Sequence, residues 1–373
     1  MNIDDFAARF DDEPGYLDFA RVGPIGRAAV EEELAQSSLL GKARFGFLAG
    51  MTAQDARVRQ AVSALIGFEP DRIAFQPNTS QGLMQVMFGL TGAVLLSPGE
   101  FPSNTFAVER ARQTGVEIEP RWLQTDHGRV TPGTVRSQLT DDVVAVAVSL
   151  VDFRTGYVTD LEGIRQVIGE RLLIVDAIQG FTVVDAPYAV ADVVASGGQK
   201  WARAGWSTGF LALSDRAIGR IRPALSGFPG TDVEGTPVDE VPPPTHGAAA
   251  FVISNPDCVA QARLAAALEE IARVGVPAIA AAVASRVSRI VDLADEFAVP
   301  VISSRDESER AGIVVLQPEP GSLTALTASL HNHGVTATVR EGTVRLSPHV
   351  TTGEETFAML RGAFTGFATA TIS

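Results

Sequence analysis

The sequence predicts an α/β protein, a mostly parallel sheet covered by helices on both faces, followed by a smaller α+β unit. Three observations predict it. Short apolar runs alternate with helical patterns through the first half of the chain, the rhythm of successive βαβ units. Two of those runs, 143–151 and 172–175, are almost continuously apolar and rich in β-branched residues, as strands buried on both faces must be. The composition then changes across 227–244, a stretch rich in Gly, Pro and acidic residues that contains Pro242-Pro243-Pro244. Such a stretch reads as a loop crossing toward a second domain.

Taken in order, residues 52–66 show the spacing of an amphipathic helix, and 73–75 form a short strand. The run Pro77-Asn78-Thr79-Ser80-Gln81-Gly82 breaks the strand, and a helix follows over 83–90. A strand at 93–97, a helix at 102–113, the strand at 143–151, a helix at 161–168 and strands at 172–175 and 193–195 continue the alternation. Beyond the loop, 257–273 and 279–297 are long helical patterns. Short strands are expected at 313–316, 335–339 and 343–346, with a closing helix at 354–362. The length of 373 residues suits one large and one small domain, at about 100–200 residues per domain. The boundaries expected are 15–245 and 246–373, with residues 1–14 packing on the smaller domain.

Composition narrows the function. Hydrophobic residues at 46% and charged residues at 20% describe an ordinary folded chain. A formal net charge of -14 disfavours nucleic acid and anionic membrane surfaces as partners. Cys258 is the single cysteine, so no intramolecular disulfide can form and a cysteine metal site is not expected. No metal-ligand spacing occurs. Residues 1–12 lack the apolar core of a secretory signal, and no apolar stretch reaches the length of a membrane span. A cytoplasmic location is the expectation.

The chemistry begins at Val175-Asp176-Ala177-Ile178-Gln179-Gly180. An apolar strand there ends in a carboxylate, at the edge where open α/β sheets bind ligands. A carboxylate at a strand end can equally cap a turn or helix. Lys200 follows 24 residues later, in Ser196-Gly197-Gly198-Gln199-Lys200-Trp201. Taken alone it could be a solvated surface lysine. As a pair, a lysine amine that condenses with an aldehyde and a carboxylate that keeps a pyridine nitrogen protonated meet the needs of pyridoxal phosphate (PLP) chemistry.

The run from Asp176 to Gly209 resembles the class V aminotransferase family of fold-type I PLP enzymes, which includes kynureninases, cysteine desulfurases and isopenicillin N epimerase-like proteins. The matching features are Asp176 and Gln179, the small residues before Lys200, and Gly205 with Gly209-Phe210-Leu211. Four further segments resemble the family in the same order. Tyr16-Leu17-Asp18-Phe19-Ala20 is similar to its opening strand, and Gln76 to Gly82 to its phosphate loop. Val151-Asp152-Phe153-Arg154-Thr155-Gly156 is similar to the segment facing the cofactor. Val344-Arg345-Leu346-Ser347-Pro348-His349 is similar to the segment carrying the carboxylate-binding arginine.

The resemblance implies a seven-stranded-type mixed sheet and PLP held as an internal aldimine on Lys200. Asp176 would pair with the ring nitrogen, and Gln179 would donate to the phenolic oxygen. Phe101 would stack on the ring. Thr79 and Ser80, opening a helix, would hold the phosphate on free backbone N–H groups and the helix dipole. Gln199 stands where relatives use His or Tyr on the phosphate, and it adds no charge. Asp152 stands at a usual asparagine, where a carboxylate would repel the phenolate unless one is protonated. Arg345 is the candidate for the substrate α-carboxylate, with Arg340 as runner-up. Arg203 is either a phosphate ligand or one partner of a surface ion pair. A homodimer with its active site at the interface is implied, and Asn255 is the candidate that reaches a partner's phosphate.

Three functions stay open. The first is amino-group transfer on an amino acid, with Lys200 as general base and then acid. The second is Cβ lysis of the kynureninase or C–S lyase kind. A persulfide-forming desulfurase is disfavoured because 317–329 contains no cysteine. The third is a PLP-fold protein that binds without turnover, against which Asp176, Lys200 and Arg345 argue together. His246, His331 and His333 are isolated histidines. The segments around Ala20-Arg21, Phe101 to Thr105 and 227–244 are the expected contributors to a side-chain pocket.

Overall fold

The structure, a computed structural model, describes residues 1–233 and 239–372. The elements run α1 (Ile3–Ala7), α2 (Arg27–Lys42), α3 (Phe47–Ile66), β1 (Ile73–Phe75), α4 (Thr79–Gly89), β2 (Gly92–Leu96) and α5 (Pro102–Gln113). Next come β3 (Ile118–Trp122), α6 (Pro132–Gln138), β4 (Val143–Ser149), α7 (Leu161–Ile168), β5 (Leu172–Asp176), β6 (Val193–Gly197), β7 (Gly209–Leu213) and α8 (Asp215–Ile218). The last third holds α9 (Cys258–Val274), α10 (Val276–Glu296), β8 (Val314–Leu316), α11 (Leu323–Asn332), β9 (Thr338–Arg340), β10 (Thr343–Leu346) and α12 (Glu354–Ile372).

Seven strands form one sheet in the order β1-β7-β6-β5-β4-β2-β3, with β7 antiparallel to both its neighbours and the other pairs parallel. The expected two-sided burial is visible residue by residue. Leu173 and Val175 of β5 enter one apolar cluster while Leu172 and Ile174 enter the other, because successive side chains of a strand point to opposite faces. The chain reverses its direction of winding beside β4: β2 leads outward to β3, whereas β4 leads inward to β5. Ligands bind at such switch points, beyond the carboxyl ends of the strands.

A second sheet, β8-β10-β9, is antiparallel. The N-terminal segment joins the residues that flank its β9–β10 hairpin. Leu17 N–H donates to Thr336 O at 3.1 Å, and Ser347 N–H donates to Leu17 O at 2.7 Å. Residues 15–19 therefore join by isolated bridges, Tyr16 with Thr336 and Asp18 with Ser347, rather than as a strand of their own.

Several expectations change. Helix α2 was not anticipated, because Leu34, Leu39 and Leu40 face solvent and only Ala29 and Gln36 are buried, so no apolar stripe marks it. Strand β3 was missed because Pro120 sits within it and only Ile118 is buried; an edge strand tolerates both. The short strand β7 and helices α6 and α11 also lie outside the expected set. The strand expected at 335–339 is instead Thr338–Arg340, and the closing helix runs past Gly362. Of the loop 227–244, residues 234–238 lie outside the described residues. Among the described residues no single helix is long and apolar enough to cross a membrane.

Candidate active site

A cavity of about 210 Å³ opens beyond the carboxyl ends of β5 and β6, between the two sheets. Its walls include Ala20 and Arg21 from the N-terminal segment, Asn78, Thr79 and Ser80 from the start of α4, and Phe101 and Ser103 from the start of α5. Ile178, Gln179, Gln199 and Lys200 follow strands β5 and β6, Trp206 follows Lys200, and Arg340 and Arg345 come from the small sheet. Six expected site residues thus share one cavity with the expected arginine: Thr79, Ser80, Phe101, Gln179, Gln199, Lys200 and Arg345.

Lys200 is 8% exposed, and burial pulls its amine down to about 8, with the nearby Asp176 carboxylate opposing. A lysine so placed is in part neutral near pH 8 and able to act as nucleophile or base. Its Nζ lies 5.4 Å from the centroid of the Phe101 ring. Gly23 lies against the Lys200 carbonyl: a Cβ there would stand 2.1 Å from that oxygen, so only glycine permits the approach.

Asp176 ends β5 and is buried. Its Oδ1 accepts from Ile178 N–H at 3.1 Å, while Oδ2 has no partner. Burial pushes the carboxyl up to about 6, against the Ile178 hydrogen bond and the Lys200 charge. A buried carboxylate oxygen without a donor costs free energy unless a ligand supplies one. A protonated pyridine nitrogen is such a donor.

The start of α4 has the form of an anion site. Asn78 caps the helix by accepting from Gln81 N–H at 2.9 Å, and the Thr79 hydroxyl is buried without a partner. The Ser80 hydroxyl meets that of Ser103 at 2.7 Å, tying α4 to α5. Gln179 is half used: its amide donates to Ala20 O at 2.9 Å, and its carbonyl accepts from Trp201 Nε1 at 3.0 Å. One amide N–H remains for a phenolic oxygen. An unpaired buried carboxylate oxygen, an unpaired hydroxyl at a helix N-terminus and a buried amine fit PLP in size and chemistry.

Arg345 donates to Phe153 O at 3.1 Å and lies 3.6 Å from Asp18, leaving its Nε unpartnered. Phe153 packs edge-on against Phe101, ring centroids 5.2 Å apart, so the arginine and the two rings brace one another.

Three expected residues stand elsewhere. Asp152 does not line the cavity. Its carboxylate accepts from Arg154 N–H at 2.7 Å and Thr155 N–H at 2.9 Å and pairs with Arg154 Nη2 at 3.0 Å, so it closes its own turn with its charge neutralised. Asn255 is exposed and lines a different groove, with Gln76, Pro77 and Gln81. Arg203 is neither a phosphate ligand nor a surface ion pair. It is buried against Asp12, its Nε donates to Pro24 O at 2.7 Å, and its guanidinium lies 3.6 Å from the Phe10 ring centroid, pinning the N-terminal segment.

Sequence reasoning missed Glu100, Asp18 and Trp206. Glu100 Oε2 accepts from the N–H and hydroxyl of Ser149, bridging β2 to β4 at the switch point. Its enclosed carboxyl is pushed up to about 7, chiefly by burial, with Asp176 and Asp152 adding repulsion. An acid four residues past an apolar strand, beyond Ser97-Pro98-Gly99, was the available signal.

Comparisons with known proteins bear on the family and the fold. The sequence profile described as Aminotransferase class-V matches residues 29–370. The uncharacterized aminotransferase YcbU of Bacillus subtilis (strain 168) is 26% identical over 301 residues, 78% of each chain. A probable cysteine desulfurase of Methanothermobacter thermautotrophicus is 28% identical over 225 residues, 57% of this chain and 56% of that protein's length. Among solved structures, the apo cysteine desulfurase of Thermococcus onnurineus NA1 superposes with a TM-score of 0.85 at 22% identity, over 96% of this chain and 95% of the other. At that identity the likeness is one of fold, and the fold is that of the fold-type I PLP enzymes.

Proposed function

The chain belongs to the class V aminotransferase family, whose members use PLP, and from that premise we propose that it transfers the amino group of an α-amino acid. The observation that carries the reading is the meeting, at one cavity, of a buried amine on Lys200, an arginine on Arg345 and, alongside, the unpartnered Oδ2 of Asp176.

Lys200 would hold the cofactor aldehyde, Asp176 the ring nitrogen, Phe101 the ring face, and Gln179 the phenolic oxygen through its remaining N–H. The N-terminus of α4, with Thr79, Ser80 and Gln199, would hold the phosphate. When bound, the cofactor withdraws electrons from the substrate Cα and so acidifies its proton. Arg345 receives the substrate carboxylate as a bidentate partner and fixes which bond at Cα stands toward Lys200. Lys200 Nζ takes the Cα proton as base and returns a proton as acid, a role its lowered affinity for protons suits. Asp152, engaged by Arg154, serves the cofactor only by shaping the loop that carries Phe153.

A second reading, a Cβ lyase, is favoured by the likeness to a probable cysteine desulfurase. In this chain such a reaction would release sulfur without a protein persulfide. Cys258, the single cysteine, starts α9 and does not line the cavity.

The reading extends to a homodimer in the cytoplasm, in which Asn255 on its outer groove meets the partner's phosphate site. It also divides the chain into domains 15–245 and 246–373, a division supported by the two separate sheets.

The test is direct. Purified protein with PLP should be yellow, and borohydride should fix the cofactor to Lys200, read by peptide mass. Incubation with amino acids, with and without 2-oxo acids, then separates the reactions: pyridoxamine phosphate marks transfer, whereas alanine or pyruvate released from a larger substrate marks lysis. A colourless protein that takes up no PLP would sink both readings in favour of a non-catalytic relative.

A further inference from the structure

The cavity gathers more positive charge than a simple amino acid needs. Lys200, Arg21, Arg340 and Arg345 all line it. The placement of the last two follows from strand register. In the β9–β10 hairpin, Arg340 pairs with Thr343 and Thr338 with Arg345. Residues directly opposite in an antiparallel pair, and residues two apart along a strand, share a face. Thr338, Arg340, Thr343 and Arg345 therefore stand on one face, and Val344 points the other way into the core. The connecting turn, Glu341-Gly342, has φ 46° and 83°, the two left-handed residues of a tight hairpin that fixes the register.

The counter-charges are few. Asp18, buried and accepting from Thr338 Oγ1 at 2.6 Å, lies 3.6 Å from Arg345 and 4.0 Å from Arg21, so one carboxylate serves two guanidiniums. Among the described residues the Arg340 guanidinium has no hydrogen bond or ion pair, although its charge reaches both Lys200 and Arg345. Three guanidiniums against one carboxylate leave two positive charges uncompensated. The α-carboxylate of a substrate answers one of them. The cofactor phosphate has donors of its own at the start of α4.

We infer that the substrate is an α-amino acid with a second acid group on its side chain, gripped by Arg340 with Arg21 while Arg345 holds the α-carboxylate. The inference rests on the PLP reading above for its amino-acid frame. Guanidinium–carboxylate pairs of this kind are charge-assisted and geometrically specific, and a neutral amide of the same shape forfeits them.

The holoenzyme should favour L-aspartate over L-asparagine, and L-glutamate over L-glutamine, by roughly ten- to a hundredfold in kcat/KM, the range set by one hydrogen-bonded charge. Arg340→Gln should erase most of that preference, and Arg340→Lys should restore part of it. Calorimetry gives a readout independent of turnover: succinate should bind at least about tenfold more tightly than butyrate, and Arg340→Gln should weaken succinate alone. Yellow, borohydride-trapped enzyme that treats acid and amide alike overturns this inference and leaves the proposed function standing. So does an Arg340→Gln variant that loses PLP while its preference for succinate over butyrate is unchanged, because Arg340 would then serve the phosphate. If no PLP binds, the proposed function fails, and the succinate titration on the same protein still decides whether the arginine pair reads a second acid group.

Discussion

The two walls of the cavity carry different kinds of ionisable group. The large-sheet wall hides its ionisable groups. Asp176, Lys200 and Glu100 sit at or just beyond strand ends, and burial dominates each, raising the acids and lowering the amine. The small-sheet wall holds Arg340 exposed at the rim and Arg345 buried behind it, where desolvation lowers the proton affinity of a guanidinium too basic to change protonation. The difference teaches where each kind of recognition belongs. A group that must change protonation gains from desolvation, which moves its pKa. A group that must only attract an anion gains from keeping its charge and its access.

Substitutions at the two walls should therefore differ in kind. The largest effect is expected for Lys200→Ala, which removes both the attachment point and the base. Turnover of any amino acid should fall by about 10³-fold or more, and borohydride should leave no label on the chain. Turnover within tenfold of the unsubstituted protein, in a stopped-flow half-reaction, would break the assignment of the buried wall.

Next comes Asp176→Asn. Loss of a fixed charge aimed at a reacting group costs about 10²–10³-fold in kcat. Stability of the cofactor-free protein should move the other way. The folded-state pKa is raised from 3.8 to about 6, so the folded state binds the extra proton between these values and the unmodified protein loses stability as pH rises through them. Above about pH 6 the Asn variant should be more stable than its parent by roughly 3 kcal/mol, and near pH 3 the two should coincide. Chemical denaturation at several pH values reads this, and a constant gap across pH would contradict it.

Arg345→Gln tests the charged wall. KM for the amino acid should rise about ten- to a hundredfold with kcat far less affected, since the arginine binds ground and transition states alike. A fall in kcat with KM unchanged would move Arg345 to the other side of the comparison. The smallest effect is expected for Glu100→Gln. Its folded pKa is raised from 4.5 to about 7, so the variant should gain stability progressively between pH 5 and 7, with kcat changed less than tenfold. Loss of activity matching that of Asp176→Asn would mean that Glu100 itself touches the cofactor.

Legibility in the sequence followed the same division. Strands β4, β5 and β6 were readable because burial on both faces demands unbroken apolar runs. Strand β3 and helix α2 were not, since an edge strand can hold Pro120 and a helix whose leucines face solvent carries no stripe. Lys200, Thr79, Ser80, Phe101 and Arg345 could be picked from the sequence as residues that converge on one cavity because each sits in a short local motif. Asp18 was not: its partners, Thr338 and Arg345, lie more than 300 residues away. Arg203 was misjudged for the same reason, because Asp12, Pro24 and Phe10, which bury it, come from the chain's opening segment. Asp152 carries a residue-level warning, a carboxylate where a neutral amide is usual, and the structure answers it with Arg154 next door.

The joining of residues 15–19 to Thr336 and Ser347 has a consequence in time. A growing chain emits Asp176 and Lys200 well before the hairpin that carries Arg340 and Arg345, and the opening segment must wait for that hairpin before Asp18 and Ala20 can take their places. At a synthesis rate of about 5–20 residues per second, Lys200 precedes Arg345 by roughly 7–30 s. For that interval the nascent chain holds the residues proposed for the cofactor without the arginines proposed for the substrate.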